Sequence, residues 1–156
     1  MRVRLEELDE SSFHEFGQVL ATPGKTWRKD FAANLTNCRP TAAPPNLALI
    51  RANAAAFPLE IDELERHEHS SQTFLPLDVR EYMVIVCKDN GHGSPDLGTL
   101  RGFRISGTVG VNYDCGVWHL GINTIGDAGI FAMLIFQAGD AEDCTFQKIS
   151  SVVVDA

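Results

Sequence analysis

The chain has 156 residues, of which 44% are hydrophobic and 22% charged, and these values are typical of a single globular domain. Its 13 basic and 21 acidic side chains give a net charge of −8, and no block of lysines and arginines is present. Nucleic acids and anionic membranes both require clustered positive charge, so the composition excludes them as expected partners. We therefore expect one domain over residues 1–156.

Neither the start of the chain nor its apolar runs are typical of a targeting or spanning segment. The longest apolar runs, Met83–Cys87 and Ile130–Phe136, are far shorter than the roughly 20 residues of a membrane helix. The N-terminal segment MRVRLEELDE holds no apolar stretch, so no secretory signal is expected. The 4 cysteines lie far apart and none forms a CxxC pair. We expect free thiols in the cytoplasm, with disulfides as the alternative.

The first predicted element is a short helix near the N-terminus. Ser11 or Ser12 suits its N-cap, and Glu15 follows Ser12 at the spacing of a capping box. Gly17 is predicted to end this helix. The next segment, Ala21–Asn46, is rich in proline and asparagine, and it is predicted to be a long connection with at most one short strand.

From Leu47 onward, short apolar runs alternate with turn residues, and no helical periodicity is sustained. Many short strands at roughly ten-residue spacing are typical of a β-sandwich or barrel. The sequence therefore predicts an all-β fold with one short N-terminal helix. The predicted strands are Leu47–Arg51, Leu59–His67, Gln72–Leu77, Glu81–Lys88, Leu100–Ser106, Val109–Asn112, Gly116–His119, Ile130–Gln137 and Cys144–Val154.

A cluster of potential metal ligands is suggested by the spacing of the histidines. Alternate residues of a strand share one face, so Glu65, His67 and His69 are expected to lie together, with Gln72 after a bend. His119 stands on a later predicted strand. A pair of ligands on one strand, completed by a distant histidine, is how a β-barrel assembles a site for Ni, Zn, Fe or Mn. The alternative is that these are solvated or packing histidines with no shared ligand.

The order of these residues resembles the two sequence motifs of the cupins. Residues 65–72, Glu-x-His-x4-Gln, resemble the first motif, usually His-x-His-x3or4-Glu, and residues 116–123, Gly-x2-His-x3-Asn, resemble part of the second. Glu65 and Gln72 thus stand where most cupins have His and Glu. The resemblance implies a cupin-like β-barrel of the jelly-roll type. It also implies a set of metal ligands: Glu65, His67, Gln72 and His119.

At a finer level the chain resembles the ureidoglycolate lyase family of allantoin catabolism, also called ureidoglycolate hydrolase, in purine metabolism. The specific pieces are Leu64–His67 with Ser71–Leu77, and Gly110–Tyr113 with Gly116–His119. Further similar pieces run from Phe13 to Cys144. The chain departs from the family at four positions, where family members usually have His, His, Pro and Arg: Asp114, Leu120, Gly121 and Gln137.

The resemblance implies a carbon–nitrogen lyase of the amidine-lyase type that cleaves ureidoglycolate to glyoxylate and urea. It implies a divalent metal ion (Ni, Zn or Mn), no organic cofactor, and a homodimer to which the Ala21–Asn46 segment contributes contacts. Two alternatives are a divergent paralogue with a related small substrate, and a non-catalytic cupin that binds or senses a small ligand. The implied catalytic residues are Glu65, His67, Tyr113 and His119, and the implied substrate-binding residues are Arg51, Arg66, Gln72 and Trp118.

Among the implied substrate-binding residues, three also have a plain structural interpretation, and Gln72 is one of them because its amide can simply satisfy buried backbone groups. An arginine binds a substrate carboxylate through paired N–H donors. Arg66, however, alternates with Glu65 and His67, so it also suits the exterior of a barrel or a dimer interface. Trp118 equally suits a core position. Both interpretations of these residues remain open in the sequence.

Overall fold

The computed structural model describes all 156 residues, and strands dominate it. The only α-helix, α1 (Glu10–Phe13), has four residues, and no helix is long and apolar enough to cross a membrane. The strands are β1 (Arg2–Glu7), β2 (Gly17–Leu20), β3 (Pro45–Ala52), β4 (Ala54–Ala55), β5 (Leu59–Arg66), β6 (Gln72–Pro76), β7 (Glu81–Cys87), β8 (Arg101–Ser106), β9 (Gly110–Tyr113), β10 (Trp118–His119), β11 (Asn123–Ile125), β12 (Gly129–Phe136) and β13 (Thr145–Asp155). The prediction of an all-β fold with a short N-terminal helix is confirmed.

The strands form two sheets. The smaller sheet has the order β2-β9-β6-β12-β3 and is antiparallel throughout. The larger sheet has the order β10-β5-β13-β1-β8-β7-β11-β4, and β1 runs parallel to both of its neighbours. Because β10 pairs with β5 and also with β7, six strands of the larger sheet close into a barrel. The predicted cupin-like β-barrel is therefore confirmed.

The central strand β7 separates two apolar cores. Its residues Tyr82, Val84 and Val86 enter the inter-sheet core, where they meet side chains of the smaller sheet such as Phe74. Its residue Ile85 points to the opposite side, into the barrel core enclosed by the six strands. Successive side chains of a strand alternate between faces, and a strand covered on both faces reads as a continuous apolar run. This explains why every residue of β7 after Glu81 is buried.

Most predicted strands are present with ends that shift by one or two residues, but β1, β2, β4 and β11 were not predicted. In β1 the sequence RVRLEE alternates charged and apolar residues, and most of its side chains are exposed. The strands β4 and β11 have only two and three residues. Such short or charged segments owe their strand conformation to their neighbours rather than to their own hydrophobic pattern.

The predicted start and end of the first helix were wrong. The N-cap is Asp9, whose carboxylate accepts hydrogen bonds from the backbone N–H groups of Ser11 and Ser12 at 2.9 and 3.0 Å. Hydrogen bonds from the same two serines lower the pKa of Asp9 to about 2. Gly17 does not end the helix but begins β2, at a φ of 148°. A Cβ at this position would lie 1.9 Å from the carbonyl oxygen of Asn112, so only glycine fits.

Residues 21–44, here called the arm, form the predicted long connection and lie against the outer face of the smaller sheet. The arm contains a 3₁₀ turn (Ala32–Asn34) and an isolated bridge between Asn37 and Ser70, but no strand. The Asn112 side chain donates to the carbonyl of Asn34 at 3.0 Å, and the backbone of Cys38 donates to His69 at 2.7 Å. These contacts fix the arm close to the residues that follow β5.

Candidate metal centre

Three polar side chains from β5, its C-terminal extension and β10 converge at one end of the inter-sheet core. Glu65 and His119 are direct partners in the antiparallel pairing of β5 and β10. His67 lies two residues beyond Glu65, on the same side of the chain. One ligand atom from each residue lies within 4.8 Å of the others, and the two imidazole centroids are 5.5 Å apart. Strand alternation and cross-strand pairing therefore bring together three of the expected residues. The expectation that His69 joins them was wrong, because the strand ends at Arg66 and His69 lies in the turn that follows.

The hydrogen-bond partners of the two histidines fix which ring nitrogen carries the proton. Nδ1 of His67 lies 2.6 Å from the carbonyl oxygen of Asp143, and Nδ1 of His119 lies 2.9 Å from that of Val117. A carbonyl only accepts, so each Nδ1 bears the hydrogen and donates it. Both Nε2 atoms are buried without a hydrogen-bond partner. A lone pair on Nε2, with Nδ1–H bound to a carbonyl, is the state of a metal-ligating histidine.

The neighbouring imidazoles keep Glu65 ionised, against the effect of its burial. Burial raises the pKa of Glu65, but the contact with His119 and the charges of His119 and His67 outweigh it, and the pKa lies below its usual value. Oε1 of Glu65 lies 3.5 Å from Nε2 of His119. Burial and the neighbouring His119 lower the pKa of His67, which favours its neutral form. Burial raises the pKa of Cys144 to about 12, so its thiol donates to Oε2 of Glu65 at 3.7 Å.

This donor set fits a divalent metal ion. Two imidazole nitrogens and one carboxylate oxygen are the ligand types that Ni, Zn, Fe and Mn share. Two donor atoms bound to one ion at about 2.0–2.1 Å are at most about 4–4.2 Å apart. The donor atoms of the cluster lie within 4.8 Å of one another, so small movements of the side chains would bring them to metal-binding distance. Three protein ligands leave coordination positions open for a substrate. Glu65, His67 and His119 are therefore the residues that would hold the metal.

A cavity of about 410 Å³ opens beside the cluster, and it brings in two more of the predicted residues. Glu65, Gln72 and Arg51 all line it. The Gln72 amide nitrogen donates to the sulfur of Met133 at 3.3 Å, whereas its amide oxygen is buried without a partner. Arg51 is exposed and takes part in no ion pair. The cavity thus presents a carboxylate and a free amide oxygen, with the unpaired Arg51 at its edge.

Tyr113 lies behind His119, inside the inter-sheet core. The two rings have a centroid separation of 4.6 Å, and the phenol oxygen is buried without a hydrogen-bond partner. Burial raises the pKa of Tyr113 well above its ordinary value. Tyr113 therefore keeps its proton and offers a hydrogen-bond donor, not a base, to this region.

The structure does not bring Arg66 and Trp118 to the cluster. Each is adjacent in sequence to a site residue, and strand alternation turns it to the opposite face. Trp118 is fully buried in the barrel core, and its indole N–H donates to Asp89 at 3.2 Å. The guanidinium of Arg66 stacks 4.8 Å from the Trp118 ring and donates to Asp89 at 2.8 Å. This placement favours the packing interpretation of both residues, and we leave them out of the candidate site.

Neither His69 nor Asp114 takes the place of the histidines that the family resemblance implied. His69 lies 3.9 Å from Glu142, and Asp114 accepts from Gln18 at 2.9 Å. Neither enters the cluster. Leu120 and Gly121, in contrast, line the cavity. The chain therefore presents an apolar and a small residue to the cavity at the positions where family members usually have His and Pro.

The partners that orient the site were not predicted from the sequence. The carbonyls of Asp143 and Val117 hold the two imidazoles, and the thiol of Cys144 contacts Glu65. Every residue has a backbone carbonyl, so the residue type does not show which carbonyl holds an imidazole. The similarity of Asp143-Cys144 to the family was the one signal that pointed to this segment.

Comparisons with known proteins identify the family of the chain. The family model described as ureidoglycolate lyase matches residues 1–154. The chain is 35% identical to a putative ureidoglycolate lyase of Agrobacterium fabrum, over 72% of this chain and 69% of that one. It is 33% identical to the ureidoglycolate lyase of Pseudomonas putida (90% and 87% of the two chains) and 34% identical to that of Stutzerimonas stutzeri (90% and 85%).

Among solved structures, a chain of Bacillus subtilis oxalate decarboxylase, studied for its Mn(II) centres, is 17% identical with a TM-score of 0.44. That match covers 92% of this chain and 30% of the solved one. The family model matches nearly the whole chain, and several relatives are more than 30% identical to it. This protein therefore belongs to the ureidoglycolate lyase family.

Proposed function

We propose that the protein is a ureidoglycolate lyase that cleaves ureidoglycolate to glyoxylate and urea at the Glu65, His67 and His119 cluster. The observation that carries this proposal is the pair of buried Nε2 atoms that have no protein partner and lie beside an ionised carboxylate at a cavity wall. Membership of the family supports an enzyme of the lyase class. The four free cysteines support the cytoplasm as its location.

The reaction removes urea from a carbon that bears a hydroxyl, a carboxylate and the ureido nitrogen. The hydroxyl loses its proton, the C–N bond breaks with its electron pair left on nitrogen, and that nitrogen takes up a proton. This elimination makes the enzyme an amidine-lyase. A divalent metal bound at the cluster would supply a Lewis acid that lowers the pKa of the substrate hydroxyl.

The residues around the cavity could accept the hydroxyl proton, bind the ureido and carboxylate groups of the substrate, and donate a hydrogen bond. Glu65 is ionised and is the candidate acceptor for the hydroxyl proton. The free amide oxygen of Gln72 suits either a fourth metal contact or an N–H group of the ureido moiety. Arg51, with no carboxylate partner in the chain, is the candidate anchor for the substrate carboxylate. Tyr113 stays protonated and is the candidate donor behind His119.

Metal analysis combined with product detection tests the proposal. Metals in the purified protein are measured by mass spectrometry, and glyoxylate and urea are measured after addition of ureidoglycolate. We expect equal amounts of the two products, loss of activity after treatment with a chelator, and recovery with Ni, Zn or Mn. Saturable binding of ureidoglycolate with neither product formed would overturn the enzyme assignment and favour the ligand-binding alternative.

Substitution of Arg51 by glutamine should weaken substrate binding. A charge-assisted hydrogen bond contributes about 1.5–3 kcal/mol, so we expect KM to rise about 10- to 100-fold. The matched control is Arg80→Gln, because Arg80 is also exposed but lies away from the cavity. Steady-state kinetics on both variants measure the effect. An Arg51→Gln variant with the kinetics of Arg80→Gln would remove Arg51 from the site.

We also propose that the protein is a homodimer that pairs through the outer face of its smaller sheet. Leu47 and Leu49 on β3 are 72% and 71% exposed, and Leu75 on β6 is 45% exposed. Leu49 and Leu75 flank Ala132 in the same register, so the exposed leucines form a continuous apolar patch. Arg51, two residues after Leu49 on β3, borders this patch, and the apolar area itself favours a second copy of the same patch as its partner.

The Leu49→Glu variant should dissociate this dimer. A charge buried in an apolar interface must lose its hydration, and two copies meet symmetrically across a two-fold axis. Sedimentation at micromolar concentration should therefore show a dimer for the natural chain and a monomer for the variant. Phe146→Glu is the control, since Phe146 is 61% exposed on the other sheet. A monomeric natural chain would contradict the proposal.

A further inference from the structure

We propose that Arg39, on the arm, is a positioning residue for the metal centre, because it locks the loop whose backbone orients His67. This inference rests on the proposed function for its consequence in catalysis. Its structural basis is independent of any metal. Three observations carry it: a buried ion pair, a loop closed on that pair, and a hydrogen bond that His67 donates to a backbone carbonyl of the loop.

The ion pair joins segments that are far apart in the sequence. Nη2 of Arg39 lies 2.8 Å from Oδ1 of Asp143 and 2.9 Å from Oδ1 of Asp140. The side chains of Arg39 and Asp143 are each only 9% exposed, whereas the exposed pair of Arg2 and Asp155 is 69% and 40% exposed. Removing one partner of a buried pair leaves an uncompensated charge, while exposed pairs contribute little. Arg39 is therefore positioned to control the conformation of this loop.

Asp143 links this ion pair to the site. Its carboxylate accepts hydrogen bonds from the backbone N–H groups of Ala138 and Gly139 at 2.8 and 2.6 Å, which closes the loop on itself. Its backbone carbonyl accepts the Nδ1–H of His67 at 2.6 Å. The same residue thus binds Arg39 through its side chain and His67 through its main chain. A displacement of the loop therefore moves the acceptor that holds the imidazole.

Loss of Arg39 would place three carboxylates next to one another without a counter-charge. Asp140, Glu142 and Asp143 all lie within 3.6 Å of the guanidinium nitrogens. Repulsion among them favours opening of the loop, and His67 would then lose the acceptor that fixes its tautomer and ring orientation. Outer partners of a metal-ligating histidine typically contribute 10- to 100-fold to metal affinity. Arg39 is one contact further from the metal than such a partner, so we expect its loss to weaken metal binding about 10-fold.

Two measurements on Arg39→Ala test this proposal. In the metal-free protein, nitrogen NMR of the imidazoles should show His67 as the Nδ1–H tautomer in the natural chain and as a mixture in the variant. His119 should keep a single tautomer in both, because Val117 holds it independently of the loop. Competition with a zinc-binding dye should show about 10-fold weaker Zn binding by the variant.

Control variants separate positioning from a general loss of structure. Arg2→Ala removes an exposed ion pair and should change neither measurement. Arg39→Lys keeps the positive charge but loses the paired geometry, so it should recover part of the affinity. A folded Arg39→Ala protein with a single Nδ1–H tautomer at His67 and unchanged Zn affinity would overturn the proposal. If the natural chain binds no Zn, the proposed metal chemistry fails, whereas the tautomer measurement still decides the role of Arg39.

Discussion

Replacement of His119 by alanine should abolish metal binding and glyoxylate release while the protein stays folded. Nε2 of His119 is one of only three clustered donor atoms, and it has no other hydrogen-bond partner to retain. Loss of an outer partner alone costs about 10- to 100-fold in metal affinity, so loss of a direct ligand should cost at least about 100-fold. Metal content after dialysis and product formation measure the two effects.

His92→Ala is the control for this experiment. His92 is exposed in the loop between β7 and β8, and its side chain lies outside the metal cluster. The variant should bind metal and turn over substrate as the natural chain does. Circular dichroism of both variants establishes that they are folded. A His119→Ala protein that retains stoichiometric metal and full activity would show that the cluster is not the shared site.

The site geometry was predictable where it depends on local strand periodicity. Glu65 and His67 were expected on one face because side chains two residues apart share a side, and this needs no tertiary information. The placement of His119 beside them depends on the pairing of β10 with β5. Spacing within the chain does not determine that pairing. The cupin resemblance supplied it, because the order of the motifs implied a common site.

For Arg66 and Trp118, the residue type alone suggested substrate binding, but the structure places them elsewhere. Arginine and tryptophan are frequent in binding sites, and both stand next to metal ligands in the sequence. The same alternation that brings Glu65 to the cavity turns them to the other face. That face is also covered, because the six-stranded barrel encloses a second core behind β5 and β10. A closed barrel arises from long-range strand pairing, which short apolar runs do not reveal.

The roles of Asp143 and the arm in orienting His67 could not be predicted from the sequence, for a different reason. The hydrogen bond to His67 uses a backbone carbonyl, so residue identity does not report it. Arg39 lies in a segment that the sequence describes only as a long connection. Its partner Asp143 is distant in the chain, and the ion pair exists only because the arm folds over the smaller sheet. Contacts of this kind follow from the completed fold.

Replacement of Trp118 by alanine should lower the free energy of unfolding by about 3–5 kcal/mol, as is usual for the truncation of a fully buried tryptophan. Trp118 is the largest fully buried side chain, and it packs within the barrel core against the residues of β5, β7 and β13. Urea denaturation measures the change. Trp27→Ala is the control, because Trp27 is 89% exposed and its loss should change stability by less than about 0.5 kcal/mol.

Kinetics of the milder Trp118→Phe variant then separate packing from substrate binding. Phenylalanine keeps most of the apolar volume but loses the indole N–H that donates to Asp89 at 3.2 Å. We expect a cost of about 1–3 kcal/mol in stability from the lost hydrogen bond and the smaller ring, although Arg66 still donates to the same Asp89 oxygen. KM for ureidoglycolate should stay unchanged, since the ring faces the barrel core and not the cavity of Glu65 and Gln72. A higher KM at unchanged stability would instead place Trp118 in contact with the substrate.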